Sequence, residues 1–284
     1  MRMRKIIPLF LILAITSSSL FWGLAAADSR RRLLTTFIMK TQQPSGGFID
    51  TPNGTADQVT EFVSYSAIYL LQQFNNLDNI DQEKAKNWLR DRFDIAYNSE
   101  FIPEVFYTYK ASKILGNAPN GTLLTTAVDK IIGLQNSSTK GFASSKAPVA
   151  TIYDTYFAIE FLFEVGNLSL ISADEVSGFV MNTWKSNGFA GSSNGEENPA
   201  DSYYALKTLS RLGKINLITA DMNSSLMDYI EGFYCNNNQY PDHYGGYSFS
   251  TNNPHSTILL TYYCVGIMKF LNGTVHSAET LKWL

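Results

Sequence analysis

A tyrosine motif that occurs five times constrains this fold more than any other feature of the sequence. The motif is Ser or Thr, then Tyr, any residue and a small residue. Its copies are Ser64-Tyr65-Ser66-Ala67, Thr108-Tyr109-Lys110-Ala111, Thr155-Tyr156-Phe157-Ala158, Ser202-Tyr203-Tyr204-Ala205 and Thr261-Tyr262-Tyr263-Cys264. The tyrosines are 44, 47, 47 and 59 residues apart. A repeat of this length predicts similar units that stack and share a continuous core.

A glycine followed by an aromatic residue recurs in phase with the tyrosine motif. The copies are Gly46-Gly47-Phe48, Gly141-Phe142, Gly188-Phe189 and Gly245-Gly246-Tyr247. The second repeat lacks this marker and has Tyr97-Asn98 in the expected place. Two markers in phase indicate a structural repeat, and glycine turns of this kind are typical of helix stops with positive φ.

Apolar residues recur at helical spacing around each tyrosine motif, as in Tyr203, Leu206, Leu209 and Leu212. A second helix per repeat is predicted over 85–93, 123–134, 176–184 and 222–233, and the chain ends inside another one. Asp81, Ser172 and Thr219 are placed to cap three of these helices. The fold is therefore predicted to be all-α. The more apolar tyrosine helices are expected inside, with the second set wrapped around them.

The first residues resemble a targeting segment. Arg2, Arg4 and Lys5 precede an apolar run over 6–15, and small residues follow at 25–27. Residues 1–27 are therefore predicted to be a secretory signal peptide, with 28–284 as the secreted domain. The alternative is an uncleaved membrane anchor over 6–27, which would tether the protein. Polar residues at 16–19 favour the cleaved signal.

Export is consistent with six Asn-x-Ser/Thr sites, which are candidates for N-glycosylation. They are Asn53, Asn120, Asn136, Asn167, Asn223 and Asn272. The chain of 284 residues has 22 basic and 25 acidic side chains, so it lacks the excess of positive charge that nucleic-acid binding requires. With 45% hydrophobic residues, it is also not a disordered chain.

The repeats resemble those of prenyltransferase β subunits, and terpene-cyclase repeats are similar. The resemblance rests on Gln43-x-x-Gly46-Gly47-Phe48, on Gly188-Phe189 leading to Pro199-Ala200-Asp201-Ser202-Tyr203-Tyr204, and on Gly245-Gly246-Tyr247 leading to Thr261-Tyr262-Tyr263-Cys264. It implies an αα-toroid over residues 28–284. Such a fold has about five to six pairs of inner and outer helices around a central, largely aromatic cavity.

The resemblance also implies a zinc site, formed by an Asp-x-Cys sequence and a His on the next inner helix. The matching positions here are Asp201-Ser202-Tyr203 and Leu260-Thr261. Tyr203 and Leu260 cannot replace a thiolate and an imidazole, so no zinc or other cofactor is expected. Asp201 remains a candidate catalytic residue. Its structural alternative is to cap the helix or to accept a nearby backbone N–H, and Asp154 occupies the same position one repeat earlier.

Cys235, Asp242, His243 and His255 are ligand types grouped near the last inter-helix loop, and they form an alternative metal site. Their spacing matches no common zinc pattern. Cys264 occupies the small position of the repeat, which favours a packed core thiol, while a disulfide with Cys235 remains open.

The aromatic residues of the motifs suggest a pocket for an isoprenoid or other lipid-like chain. Its predicted lining is Tyr65, Tyr109, Tyr156, Phe157, Tyr203, Tyr204, Tyr262 and Tyr263. We therefore expect an exported toroid that lacks the zinc site and binds a lipid-like ligand or a peptide segment of a partner protein. One alternative is an active prenyltransferase or terpenoid-type enzyme with a non-standard site. Another is an interaction scaffold whose aromatic residues only fill the core.

Overall fold

The computed structural model describes residues 24–52, 54–55, 58–145, 149–236, 239, 242–249 and 255–283. Within these ranges the chain has eleven α-helices, three short 3-10 helices and isolated bridges, with no β-strand. The predicted all-α class is confirmed. No described helix is both long and apolar enough to span a bilayer. Residues 1–23 of the predicted signal lie outside the described ranges.

Helices that carry the tyrosine motifs alternate along the chain with a second set. Helix α1 is Leu24–Met39 and begins inside the predicted signal segment. The motif helices are α2 (Glu61–Gln73), α4 (Ile102–Ile114), α6 (Ile152–Glu164), α8 (Pro199–Arg211) and α10 (Ile258–Phe270). The second set is α3 (Gln82–Asn98), α5 (Gly121–Gly133), α7 (Ala173–Met181), α9 (Ala220–Glu231) and α11 (Ser277–Trp283).

Every predicted second helix is present, but three of the four predictions extended past the end of the helix, by a single residue in α5, which ends at Gly133. Trp184 and Phe233 lie in loops, because α7 ends at Met181 and α9 at Glu231. The Trp184 ring packs on Phe189 of the following Gly-aromatic turn, with ring centroids 5.0 Å apart. An apolar residue at position 184 therefore indicates packing within the loop and not a continuation of α7.

Side-chain caps begin the helices where the sequence predicts them. Asp81, Ser172 and Thr219 accept the backbone N–H three residues later, at 3.1–3.3 Å. Three of the motif helices begin in the same way after Thr60, Thr151 and Thr257, and α8 begins after Asn198. Each cap satisfies one of the N–H groups that lack a partner inside the helix.

All five motif helices end in the left-handed conformation. The residues with positive φ are Asn75, Gly116, Gly166, Gly213 and Asn272. In each case the following N–H bonds the carbonyl five residues back, at 2.7–2.9 Å, as in a Schellman motif. These are the helix stops. The Gly-aromatic turns are not, because each begins at least seven residues after the preceding helix has ended.

The chain forms two compact units, one up to Ile131 and one from Ile132 onward. In the first unit, α4 packs against α2 and α3. In the second, α8 lies between α6 and α10, with α7 packed on α8 and α9 on α10. Six to nine residues of each motif helix are buried, against two to four in each of α3, α5, α7 and α9. The motif helices are therefore the more buried set, as predicted.

A buried hydrogen bond joins the two repeated markers. In four motif helices the Ser or Thr before the tyrosine accepts the backbone N–H of the aromatic residue in the Gly-aromatic turn. The pairs are Ser64 with Phe48, Thr155 with Phe142, Ser202 with Phe189 and Thr261 with Tyr247, at 2.9–3.0 Å. This bond explains why the markers occur in phase, since each turn is anchored to the helix that follows it.

The second repeat is built differently. Helix α3 runs almost directly into α4, which leaves no room for a Gly-aromatic turn. Thr108 instead donates its hydroxyl to the carbonyl of Glu104 in its own helix, at 2.7 Å. The motif tyrosine is the fifth residue of α2, α6, α8 and α10, whereas Tyr109 is the eighth residue of α4, where Phe106 is fifth. The predicted equivalence of Tyr109 with the other tyrosines is therefore wrong.

Removing the hydroxyl of Ser64 tests the buried bond. We expect Ser64→Ala to lower the free energy of unfolding by about 1–3 kcal/mol, because the Phe48 N–H loses its buried acceptor. Ser66→Ala is the matched control on the same helix, since the buried Ser66 hydroxyl bonds no described residue. Urea unfolding measures both. Equal losses for the two variants would contradict the proposed role of the bond.

Gly245 has a φ of +92°, a conformation that residues with a Cβ rarely adopt. A Cβ at this residue would overlap the backbone carbonyl oxygen of Glu279 in α11. Gly245→Ala should therefore destabilise the fold by about 1–3 kcal/mol. Gly178→Ala, in α7 with open space around it, should stabilise it by about 0.5–1 kcal/mol. Thermal unfolding should show Tm shifts of opposite sign, and shifts of the same sign would contradict this account.

Candidate ligand-binding site

Seven aromatic rings gather on three adjacent motif helices of the second unit. We call this surface the aromatic face. Its members are Tyr153, Tyr156, Phe157, Tyr203, Tyr204, Tyr262 and Tyr263. Neighbouring ring centroids are 4.8–5.9 Å apart, mostly in edge-to-face or tilted contacts. Six of these residues are the fifth and sixth residues of α6, α8 and α10, and the motif predicted all six.

Tyr153 belongs to the aromatic face but was not predicted. It lies one helical turn before Phe157, and the two ring centroids are 4.8 Å apart. The spacing of four residues between aromatic side chains was the available signal, since such side chains share a helix face. Tyr153 is also 38% exposed, which makes it the most accessible ring of the aromatic face.

Four phenol groups of the aromatic face bond one another in two pairs. The hydroxyl oxygens of Tyr203 and Tyr262 are 2.7 Å apart, and those of Tyr204 and Tyr263 are 2.8 Å apart. Burial raises the pKa of Tyr203 well above its usual range, and nearby tyrosines and Glu160 raise it further. Burial likewise raises the pKa of Tyr156, with Glu160 adding to the effect. These phenols are neutral at physiological pH, so they form an apolar wall and not a set of bases or nucleophiles.

The first unit holds a separate aromatic cluster. Tyr65 stacks on Tyr107 with centroids 5.7 Å apart, and Phe106 lies 6.2 Å from Tyr65. Tyr107 is the sixth residue of α4, so it corresponds to Phe157, Tyr204 and Tyr263 in the second unit. The repeated motif does not reveal Tyr107, because Thr108-Tyr109-Lys110-Ala111 matches the motif three residues later in the same helix.

Tyr109 occupies a different place from Tyr65. Its ring packs against Phe93 of α3, with centroids 6.5 Å apart. The structure therefore brings six of the eight predicted pocket residues together in the second unit, and it places Tyr65 and Tyr109 in the first.

The residues at the zinc positions do not fit a zinc ion. The Tyr203 phenol is paired with Tyr262, its raised pKa disfavours the phenolate that would bind a metal, and Leu260 is a buried hydrocarbon side chain. Asp201 is the third residue of α8, and its carboxylate accepts the side-chain amide of Asn198. Burial raises the pKa of Asp201, while the bond from Asn198 opposes the shift.

The helix cap at this position is Asn198 and not Asp201. Asn198 accepts the backbone N–H of Asp201 at 2.9 Å. Asp154 fulfils the structural role predicted for both aspartates, since it accepts the backbone N–H of Ser144 at 3.2 Å and its hydroxyl at 2.7 Å. In the turn before α8, Gly191 faces Asp201 in the place that Ser144 has before α6, and Gly191 has no hydroxyl that could donate to the carboxylate.

The alternative metal ligands lie around the turn before α10. The rings of His243 and His255 meet edge to face with centroids 5.3 Å apart, and His243 Nδ1 lies 3.2 Å from the Ser256 hydroxyl. Across the described ranges, no group of three or more His, Cys, Asp or Glu side chains is arranged to hold a metal ion. The alternative site of Cys235, Asp242, His243 and His255 is therefore not assembled.

Both cysteines are buried free thiols, which excludes the disulfide that the sequence left open. Burial raises the pKa of Cys235 and, more strongly, that of Cys264. Neither thiol is therefore an activated nucleophile. Cys264 is fully buried in the core of the second unit, in agreement with its small position in the repeat.

Three of the predicted glycosylation sites are exposed, namely Asn120, Asn136 and Asn272. Asn167 is half-buried, and so is Asn223, which lies inside α9. Asn53 is outside the described residues. Glycosylation of the six sites stays a prediction.

Alkaline titration tests the burial of the aromatic face. Burial raises the pKa of Tyr263 to about 12, against a smaller lowering by the bond with Tyr204. The unfolded value is about 10. Because the raised pKa favours the neutral folded form, stability should be full below pH of about 10 and fall by up to about 3 kcal/mol as pH rises to 12. Tyr263→Phe should make this fall shallower in urea unfolding, and an unchanged slope would contradict the assignment.

Comparison with known proteins gives the family. The family model described as "Prenyltransferase alpha-alpha toroid domain" matches residues 3–93 and 90–284. No curated protein matches the sequence. The family match agrees with the alternating motif and second-set helices and with the repeated Gly-aromatic turns. The chain belongs to the prenyltransferase αα-toroid family.

Proposed function

We propose that this protein is an exported, noncatalytic member of its family that binds a lipid-like chain on the aromatic face. The observation that carries the proposal is the gathering of seven rings on α6, α8 and α10, with four of the hydroxyls bonded in two pairs. Tyr153, Tyr156, Tyr204 and Tyr262 keep part of their surface accessible. A contiguous accessible aromatic surface is typical of a site that another apolar group covers.

An alkyl or isoprenoid chain suits this surface for a simple energetic reason. Each Å² of apolar surface removed from water contributes about 25 cal/mol. In each phenol pair, Tyr203 with Tyr262 and Tyr204 with Tyr263, one hydroxyl donates to the other. Four of the six phenol oxygens of the aromatic face thus already take part in a hydrogen bond. The surface therefore presents mainly ring carbon, which favours a hydrocarbon chain over a polar substrate.

The same residues support a noncatalytic role. Tyr203 and Leu260 replace a thiolate and an imidazole at the zinc positions that the resemblance implies. The Asp201 carboxylate is engaged by Asn198 at the start of α8. The tyrosines are neutral and the Cys264 thiol is buried, so the aromatic face offers no activated nucleophile.

Export and glycosylation complete the proposal. The basic and apolar segment at 1–27 is the proposed signal, and Asn120, Asn136 and Asn272 are accessible acceptor sites. Expression in a eukaryotic secretion system, followed by intact mass and glycosidase treatment, tests both. Retention of residues 1–27 in the secreted protein, or its retention on membranes, would favour the anchor instead.

Ligand extraction and binding test the function. Organic extraction of the purified protein should release a prenyl or acyl compound that mass spectrometry identifies. The stripped protein should bind oleyl alcohol, and Tyr153→Ala should weaken that binding by about tenfold, because one accessible ring is lost. Tyr97→Ala, on α3 of the first unit, is the matched control and should leave binding unchanged.

Other outcomes identify the alternatives. An empty extract together with no binding of oleyl alcohol would favour an interaction scaffold with a filled core. Turnover of a prenyl diphosphate that is abolished by Asp201→Ala would establish an enzyme instead.

A further inference from the structure

A small pocket lies at the C-terminal ends of the motif helices in the second unit. Its volume is about 340 Å³, near the lower end for ligand pockets. We call it the Lys207 pocket, and it is lined by Glu160, Phe163, Lys207, Ser210, Arg211 and Phe270. It combines two cations, one carboxylate and two aromatic rings.

Glu160 and Arg211 satisfy each other within this pocket. Arg211 Nε donates to Glu160 Oε1 at 2.7 Å, and Nη2 donates to Oε2 at 2.8 Å. The guanidinium also stacks over Phe163, 3.9 Å from the ring centre. Both carboxylate oxygens are thus engaged by Arg211, and Glu160 is only 5% exposed. Arg211 Nη1 is not used in either bond and keeps its two N–H donors.

Lys207 has no counter-ion of its own. Its ammonium lies 5.5 Å from the centre of the Phe270 ring and makes neither a hydrogen bond nor an ion pair with any residue in the described ranges. Burial lowers the pKa of Lys207, Glu160 opposes the shift, and Arg211 adds to it. A half-buried ammonium without an anion is costly, so an anion that reached this pocket would be stabilised.

The Lys207 pocket continues the aromatic face along the same helix stripe. Lys207 is four residues after Tyr203, and Glu160 is four residues after Tyr156. Phe270 is eight residues after Tyr262. Residues four apart lie one helical turn along the same face, about 6 Å further. A chain lying over the tyrosines would therefore reach the Lys207 ammonium with its end.

We propose that the Lys207 pocket binds the carboxylate head of a long-chain anionic amphiphile whose hydrocarbon chain lies on the aromatic face. This proposal rests on the lipid-binding function proposed above and specifies the chemical class of the ligand. Lys207 and Arg211 Nη1 donate to the carboxylate, while Phe163 and Phe270 cover the first carbons of the chain.

Charge balance selects a single negative charge. Lys207 and Arg211 contribute two positive charges and Glu160 one negative charge, so the pocket has a net charge of +1. A carboxylate neutralises it. A diphosphate would bring additional negative charge close to Glu160, whose carboxylate is held inside the pocket by Arg211. The pocket therefore favours a fatty carboxylate over a prenyl diphosphate.

Calorimetric titration of the full chain tests the assignment with three probes: oleate, oleyl alcohol and farnesyl diphosphate. Oleate should bind at least tenfold more tightly than the alcohol. Lys207→Met, which keeps the apolar stem, should remove this advantage and leave the binding of the alcohol unchanged, while Lys207→Arg should retain most of it. Lys269→Met is the matched control for overall charge, because Lys269 is exposed on α10 beside Phe270.

Several results would overturn the assignment. If oleate and oleyl alcohol bind equally, or if Lys207→Met leaves oleate binding unchanged, the head-group site is wrong while the lipid-binding function stands. Tighter binding of farnesyl diphosphate than of oleate, dependent on Lys207, would overturn the choice of a monoanion. If none of the three probes binds, the proposed function itself fails.

Discussion

The hydrogen bond between a motif hydroxyl and a turn amide is the interaction on which the rest of the structure depends. Ser64, Thr155, Ser202 and Thr261 each accept the N–H of a buried aromatic residue. A buried N–H without an acceptor is costly, so the turn and the helix must form together. In these four helices the bond fixes where the helix begins relative to the preceding loop. It therefore also fixes which side chains occupy the fifth and sixth positions of that helix.

The sequence predicted the fold well because this bond keeps two markers close together along the chain, 13 to 16 residues apart. The hydroxyl and the Gly-aromatic pair are both local patterns, and their common phase reveals the repeat without any structure. The prediction failed at α4, where Thr108-Tyr109-Lys110-Ala111 imitates the motif three residues late. Without a Gly-aromatic turn there was no second marker to correct the register. Thr108 matches the Ser/Thr position of the motif, but its hydroxyl bonds a carbonyl of its own helix. The sequence pattern cannot distinguish such a residue from one that anchors a turn.

The candidate site was predicted in part for the same reason. The aromatic face could be read from the sequence because its members repeat at fixed positions of the motif. The Lys207 pocket could not, since Glu160, Lys207 and Phe270 belong to three different helices and repeat no pattern. In the sequence Lys207 is an ordinary helix lysine. Its significance arises only in three dimensions, where Arg211 engages both oxygens of the nearest carboxylate.

Different positions of a motif helix have different roles, which explains how this fold can lack the zinc site that the family resemblance implies. The fourth residue of the helix anchors the turn and must be Ser or Thr there, as in Ser202 and Thr261. The fifth residue does not carry the anchoring bond, and in α8 and α10 the hydroxyls of Tyr203 and Tyr262 bond each other. Its chemistry can therefore change while the anchor remains. The ninth residue also lies outside the anchoring bond and differs between helices. It is Lys207 in α8 and Gly266 in α10, where a Cβ would overlap the Tyr203 ring. The residues of the proposed ligand site therefore occupy positions that the turn anchor does not constrain, which is why family membership alone does not identify a ligand.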